Sequence, residues 1–547
     1  MGVPPGRWAR GGSLAKTQSG RRQFIRAAGT LGVAALFSSQ EPPKASQELP
    51  AVKTKRGTLP RSDSAISLHP ENPRYFSFRG KPLVLIAAGE HYGSVVNRRF
   101  DFTRYLAEAA EKKQTMTRTF LLFRELQGMR NPSSPVKPES PDYIAPWPRT
   151  GPGNAMDGEP KYDLDRWNPE YFDRLNRLLS LASDYRIVVE LTLFSNTYAD
   201  RIWALNPLRD QNNLQKVGAV DWTDYNSLRD STLVSRQVGY ARKIIQETGQ
   251  YDNVYYEICN EPGGGQPGHA SVAEVDSWQE EIGRVVREEL RTLNRPHLVV
   301  GQQAFNWLPQ VNQAFDASFS GTLFDAVTVH PIADMALGGQ SYDLSHFMSK
   351  DLQLADYKKF FLAARRFPKP CISDEDNAAS LYRDDTGWTI HRKRAWMAVM
   401  CGGHYDFIDF SITVGSEDGT AESRAKIRSW MRNLSEFIQA FDFIHAQALE
   451  DFVEAMPEHL IAGVLAVPSR DYVTYFADAR EVTDSTAGEP IAGPVTLRLD
   501  RGAYDLSLYS PVTGVYSPSI RMQSTGRVTI NLEPFQHDIV LRVSRVS

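Results

Sequence analysis

Two acidic residues stand where chemistry could use them. Glu261 follows Cys259-Asn260 and precedes Pro262 and a run of glycines, and Glu375 lies within Ser373-Asp374-Glu375-Asp376-Asn377. Each comes at the end of a short apolar run, where a strand gives way to a loop. Two carboxyl groups on opposite sides of a glycosidic bond can cleave it. One protonates the leaving oxygen while the other attacks the anomeric carbon or activates water. Asp374 and Asp376 flank Glu375, so Asp374 is the alternative for the second role. Glu90 and His91 follow an earlier apolar run and suit either substrate binding or loop capping. Tyr198, Trp222 and Trp307 fall in long loops and are candidate sugar platforms, because the apolar face of a pyranose packs on an aromatic ring. The loop 124–166, with Trp147 and several prolines, is expected to wall one side of a cleft.

The elements that would carry these residues alternate regularly. A hairpin at Tyr75-Phe76-Ser77-Phe78, turning at Arg79-Gly80, runs into the apolar stretch Pro82–Ala87. Further strands are predicted at Thr115–Phe123, Arg186–Leu193, Val254–Cys259, His297–Gly301, Phe324–His330, Pro370–Asp374 and Tyr405–Phe410. Helices are predicted at 102–111, 169–182, 231–248, 271–293, 354–366, 388–401 and 425–445; Asn168-Pro169 supplies an N-cap and a first helical residue. Strands apolar along their whole length are covered on both faces, as in a parallel sheet. Eight such units suit a closed (β/α)8 TIM barrel, an α/β fold whose working residues sit at the strand ends. Beyond residue 450, Val495–Leu499, Tyr504–Tyr509, Val528–Leu532 and Ile539–Val543 alternate in period two, which predicts a small antiparallel β-sandwich. The expected organisation is 1–45, 46–74, 75–447 and 448–547: an export signal, a linker, the barrel and the sandwich. The sandwich either binds polysaccharide or braces the barrel; its strands alternate without an identifiable exposed aromatic row, which favours bracing.

Composition sets the bounds. A chain of 547 residues exceeds one hydrophobic core. A formal charge of -3, with 41% hydrophobic and 23% charged residues, gives no pull toward nucleic acid or an anionic membrane. Three cysteines, Cys259, Cys371 and Cys401, make neither a disulfide framework nor a metal-ligand spacing. No motif implies a metal or organic cofactor. Arg21-Arg22-Gln23-Phe24-Ile25, followed by the apolar run Ala27–Phe37, describes an export signal too short to span a membrane. Its paired arginines resemble a twin-arginine signal, implying a periplasmic or extracellular protein with no membrane insertion after signal removal. Oligomeric state is not legible.

Tyr256-Glu257-Ile258-Cys259-Asn260-Glu261-Pro262 resembles the strand-four motif of clan A glycoside hydrolases, the group that includes the family 5 cellulases and mannanases. The resemblance covers about residues 75–445. It implies that Glu261 is the acid/base, that Asn260 binds a sugar hydroxyl, and that Glu375, five residues after Pro370, is the nucleophile. It further implies that Arg118 keeps the nucleophile ionised and that His330 lies beside it; a nearby cation lowers a carboxylate pKa. Phe410 and Ser411 stand where many clan members carry a tryptophan that floors the sugar subsite, with Trp388 and Trp396 on the preceding helix. Tyr405-Asp406-Phe407-Ile408-Asp409-Phe410-Ser411 and Glu417-Asp418-Gly419 resemble a narrower group of barrel proteins. The C-terminal piece of that group is called a collagen-binding domain, a name that is no evidence of collagen binding. The expected activity is retaining hydrolysis of a poly- or oligosaccharide. The alternatives are a transglycosylase or a non-catalytic carbohydrate-binding barrel.

Overall fold

The computed structural model describes residues 65–124, 140–306, 313–330, 335–342, 354–376, 385–408, 421–480 and 484–546. Eight parallel strands form the barrel: β1 (Ile86–Gly89), β2 (Met116–Phe120), β3 (Val188–Ser195), β4 (Val254–Asn260), β5 (Val299–Gly301), β6 (Ala326–Val329), β7 (Cys371–Asp376) and β8 (His404–Ile408). They pair in sequence order, with β8 returning to β1. Between β1 and β2 the ring is held by the Thr115 N–H on the Ile86 carbonyl at 2.9 Å and the Phe120 N–H on the His91 carbonyl at 2.8 Å. The strands are buried along their length, which is why their sequences read as apolar runs.

A helix follows each strand: α1 (Phe102–Glu111), α2 (Pro169–Asp184), α3 (Ser231–Thr248), α4 (Val272–Thr292), the one-turn α5 (Asp316–Ser320), α6 (Leu354–Ala364), α7 (Asp385–Met400) and α8 (Ala421–Gln439). Their starts are set by side-chain caps. Asn168 accepts the Glu170 N–H ahead of Pro169, Asp230 caps α3, and Ser271 with Glu274 forms a capping box on α4. Helix α8 stops before the predicted limit of 445, because Phe441, Phe443 and Ile444 leave it to pack in the core that holds Tyr75. Among the described residues no helix is long and apolar enough to cross a membrane.

The N-terminal hairpin plugs the barrel floor. Ile66, Phe76 and Phe78 form one buried cluster with Leu85, Met116, Val188, Tyr255, Val300, Ala326 and Ile372, drawn from the lower parts of the strands.

The C-terminal strands are β9 (Gln447–Ala448), β10 (Val453–Ala455), β11 (Leu460–Val467), β12 (Asp471–Asp478), β13 (Ile491–Tyr509), β14 (Ile520–Phe535) and β15 (Asp538–Arg545). They form one antiparallel sheet that wraps into a sandwich. The runs 495–499 and 504–509 are one strand, not two: β13 is continuous, with a register shift between Leu499 and Gly502. Strands β11 and β12 escape a period-two reading because they serve two cores. Leu460, Ala462, Val464, Ala466, Tyr472 and Phe476 face the sandwich interior, while Leu465, Val467, Val473, Tyr475 and Ala477 pack in the barrel-side core.

Helix α7 joins the two halves through an unusual run. His391, Arg392, Lys393 and Arg394 are all buried, with at most 4% exposure. Helix positions two apart point in different directions. Arg392 therefore reaches the sandwich, pairing with both oxygens of Asp538 at 2.7–3.1 Å beneath the Trp430 ring. Lys393 Nζ donates to the Asp478 carbonyl at 2.8 Å. Arg394 turns inward to Asp376 at 2.7 Å. Trp396 stacks on Tyr475 of β12 and Trp388 is buried in the same core. Removing one partner of a buried ion pair leaves the other charge uncompensated. Asp538→Ala is expected to lower unfolding free energy by about 3–5 kcal/mol, read by chemical denaturation, with Arg392→Met/Asp538→Leu recovering most of that loss.

Candidate active site

Glu261 is the first residue past β4 and sits at φ +44°, the left-handed region, which is uncommon for a side-chain-bearing residue and disfavoured before proline. Its peptide is gripped on both sides. The Glu261 N–H donates to Gln302 Oε1 at 3.0 Å, and Asn196 Nδ2 donates to the Glu261 carbonyl at 2.9 Å. Gln302 is fixed in turn by Gln279 of α4, which donates to its carbonyl at 2.6 Å and accepts its N–H at 3.3 Å. The glycines after Pro262 have a steric reason: a Cβ on Gly264 would meet the Ser271 backbone at 2.7 Å.

Glu375, near the end of β7, faces Glu261. An oxygen of each carboxyl group and a nitrogen of His330 all lie within 4.8 Å of one another. His330 follows β6 and stands between them, with Nδ1 at 3.0 Å from Glu261 Oε1 and 3.5 Å from Glu375 Oε2. Its Nε2 is 3.2 Å from Asp374 Oδ1. Arg118 of β2 lies beneath. Its Nη1 is 3.1 Å from Glu375 Oε2, and its Nη2 is 2.5 Å from Glu257 Oε2 and 2.8 Å from Asn260 Oδ1. Asp374 and Glu190 lie 3.3 Å and 3.8 Å from its Nε. Tyr92 Oη approaches Glu375 Oε1 at 3.5 Å.

Burial and charge decide where protons sit. Burial, reinforced by Glu261 and opposed by His330 and Arg118, pushes Glu375 up to about 7. Burial works against a charged His330, yet Glu375 and Asp374 overcome it and raise the imidazole well above its ordinary range. Against burial, Arg118 and His330 hold Asp374 low. Burial, with Glu257 and Asp374, raises Glu190 well above the carboxylate range, and burial with Asp374 does the same to Asp406. Burial and Arg118 push His91 well below the ordinary imidazole range, 2.9 Å from Asp406.

The arrangement therefore brings Glu261, Glu375, Asn260, Arg118 and His330 together. Glu190 of β3 is a further buried partner of Arg118. Glu90 takes the capping place: its carboxylate accepts the N–H groups of Tyr92 and Gly93 at 2.6–3.1 Å. His91, fully buried on Asp406, belongs to the barrel wall. Asp374 points to Arg118 and His330 below Glu375 and is fully buried. Trp147 does not line a cleft; it is buried against Trp167 and Tyr240 on the helical side. Trp222 is half-buried against the same core. Tyr198 is no detached platform, since its hydroxyl lies 2.8 Å from Glu261 Oε2. Phe410, Trp307 and residues 125–139 lie outside the described residues. Sequence reasoning missed Glu257, Asn196, Gln302, Tyr92 and Asp406. A signal existed for Glu257 and Asp406, polar positions in period two within apolar strands.

Among the described residues two sets of ligand-type side chains occur, Glu261/His330/Glu375 and Glu190/Glu257/Asp374. The second already surrounds the Arg118 guanidinium, and the first already holds the His330 imidazole between its carboxyls.

No protein-family model matches the chain and no curated protein is similar to it. Solved structures are. A glycoside hydrolase family 5 protein from Bacteroides vulgatus aligns at 13% identity over 89% of this chain and 95% of that one, with a TM-score of 0.55. A second structure, described as a glycoside hydrolase, aligns at 12% identity over 90% and 99%, with a TM-score of 0.52. These likenesses show the fold, a TIM barrel followed by a β-sandwich.

Because Glu261 is a like-charged neighbour of Glu375, neutralising it removes one upward push. In Glu261→Gln the Glu375 carboxyl is expected to titrate below its midpoint of about 7, followed by carbon-13 NMR of glutamate-labelled protein.

Proposed function

We propose that this protein is a retaining glycoside hydrolase acting on a poly- or oligosaccharide. The observation that carries the reading is the facing pair: oxygens of Glu261 and Glu375 within 4.8 Å, on strands across one barrel mouth. Retaining enzymes place their carboxyls ~5–5.5 Å apart, whereas inversion needs ~6.5–9.5 Å to admit a water. The family 5 and other glycoside hydrolase folds above are consistent with this reading.

In the mechanism Glu375 is the nucleophile. Its oxygen bonds to the anomeric carbon as Glu261 gives its proton to the departing glycosidic oxygen. Water then attacks the anomeric carbon, passes a proton to Glu261, and frees Glu375 as a carboxylate. Arg118, 3.1 Å from Glu375, stabilises that leaving carboxylate. Burial makes the ionised nucleophile costly, so Glu375 is fully ionised only above about 7. The acid limb of kcat/KM is therefore expected near pH 7, above the ordinary glutamate range, with the rate rising as pH rises through it.

The test is hydrolysis of aryl glycosides and glycan oligomers. Glu375→Gln and Glu261→Gln should each lose about 10²–10⁴-fold or more on substrates with poor leaving groups. A 2-fluoro glycoside should leave a covalent adduct on Glu375. Glycan binding with no turnover and no adduct would favour the non-catalytic barrel; sugar rather than water as acceptor would identify a transglycosylase.

We also infer export by a twin-arginine route. Arg21-Arg22 before the apolar run supports it, as do three cysteines that are free and buried and need no oxidising compartment. A reporter fused after residue 45 is expected to be exported, and Arg21→Lys/Arg22→Lys to retain it inside the cell.

A further inference from the structure

We propose that Tyr198 is a positioning residue of this pocket: its hydroxyl ends a directed hydrogen-bond chain, Arg118 to Asn260 to Tyr198 to Glu261, that orients the Glu261 carboxyl and favours its ionised form. The inference rests on the glycosidase reading above.

The direction of the chain follows from which groups can donate. Arg118 Nη2 lies 2.8 Å from Asn260 Oδ1, and a guanidinium can only donate, so that end of the amide is its carbonyl. The amide NH2 is thereby fixed at the other end. It lies 2.7 Å from Tyr198 Oη and 3.3 Å from Ser195 Oγ. An amide NH2 only donates, so the Tyr198 oxygen accepts there. The phenolic proton is left to point along its second contact, Glu261 Oε2 at 2.8 Å.

The loop after β3 is built to hold this posture. Tyr198 has φ +55°, a second side-chain-bearing residue in the left-handed region beside Glu261. One side chain clips both: Asn196 Oδ1 accepts the Tyr198 N–H at 3.1 Å, while its Nδ2 donates to the Glu261 carbonyl at 2.9 Å. The Tyr198 ring meets Phe123 edge-on at 5.9 Å between centroids. Two uncommon backbone conformations, tied to one asparagine, bring a phenol onto a carboxyl oxygen.

A carboxylate that accepts a hydrogen bond is favoured over its protonated form. Glu261 must be ionised in the second half of the reaction, when it takes the proton released by water; Tyr198 keeps its own proton throughout. The charged groups around Glu261 come from several elements: His330 after β6, Glu375 and Asp374 of β7, Arg118 of β2 and Glu257 of β4. His330 meets Oε1 at 3.0 Å, whereas Tyr198 meets Oε2 at 2.8 Å, so the two contacts fall on different oxygens.

The experiment compares the full-length wild type with Tyr198→Phe, after equal melting temperatures establish that both are folded. The pH dependence of kcat/KM is measured on aryl glycosides with poor leaving groups. The Glu261 carboxyl is titrated independently by isotope-edited difference infrared spectroscopy, its band assigned by loss in Glu261→Gln. Loss of the phenol should move the Glu261 band and the basic limb of kcat/KM upward together by about one pH unit. A band that titrates unchanged in Tyr198→Phe overturns the proposal, even if the rate falls. If the wild type cleaves no glycoside the enzymatic reading fails on its own, and the infrared titration still decides the hydrogen-bond chain.

Discussion

One guanidinium organises this molecule. Arg118 is fully buried in the barrel and lies within 4 Å of four carboxyl groups, Glu190, Glu257, Asp374 and Glu375. Charges taken out of water are costly unless paired and hydrogen-bonded. Neither Arg118 nor its acids could be buried alone, so each is the condition for the others. Four negative charges would still overwhelm one positive charge. Against burial, Arg118 and His330 hold Asp374 below its ordinary range; burial with Glu257 and Asp374 lifts Glu190 well above it; and Glu375 and Asp374 outweigh burial to raise the His330 imidazole. The candidate chemistry sits on this balance, because Glu375 shares both cations with the acids below it.

The layers of the barrel explain how such a cluster can stand. Its floor is apolar: Met116, Val188, Tyr255, Ala326 and Ile372 close against the hairpin residues Phe76 and Phe78. Two residues further along the same strands come Arg118, Glu190, Glu257, Thr328 and Asp374, pointing the same way. Above them lie His330 and the ends of β4 and β7. Apolar packing below fixes the strands, and hydrogen-bonded charges above use that rigidity. The outer side is braced similarly, since Asp376, adjacent to Glu375, is held by Arg394 while Arg392 of the same helix is anchored in the sandwich.

This layering also shows what a sequence displays and what it hides. Barrel strands were legible because burial on both faces makes them apolar, and Glu261 because Asn-Glu-Pro after such a run is distinctive. The interior layer was partly legible: a charge two positions beyond an inward apolar residue, as in Met116-Thr117-Arg118, marks the inner face. Glu257 carried that mark and passed as part of a motif. Asn196, Gln302 and Gln279 carried none, since their work is to grip a backbone whose left-handed turn is invisible in residue types. Strands β11 and β12 were hidden for the opposite reason, as two cores consume the polar half of the alternation. Glu90, His91 and Trp147 show that a polar or aromatic residue near a strand end can serve the wall as readily as the pocket.

The near-neutral titration of Glu375 bears on the last step. A nucleophile held permanently ionised by two cations would be strongly stabilised and correspondingly unreactive. Here burial and the facing Glu261 carboxyl counter Arg118 and His330 and push Glu375 up to about 7. The His330 Nδ1 stands 3.0 Å from the Glu261 carboxyl and 3.5 Å from that of Glu375, so the two share one imidazole. The proposed double displacement asks one group to be acid while the other is nucleophile, and the acid to turn base midway. Burial first, and the facing Glu261 carboxyl after it, thus set where Glu375 takes up its proton.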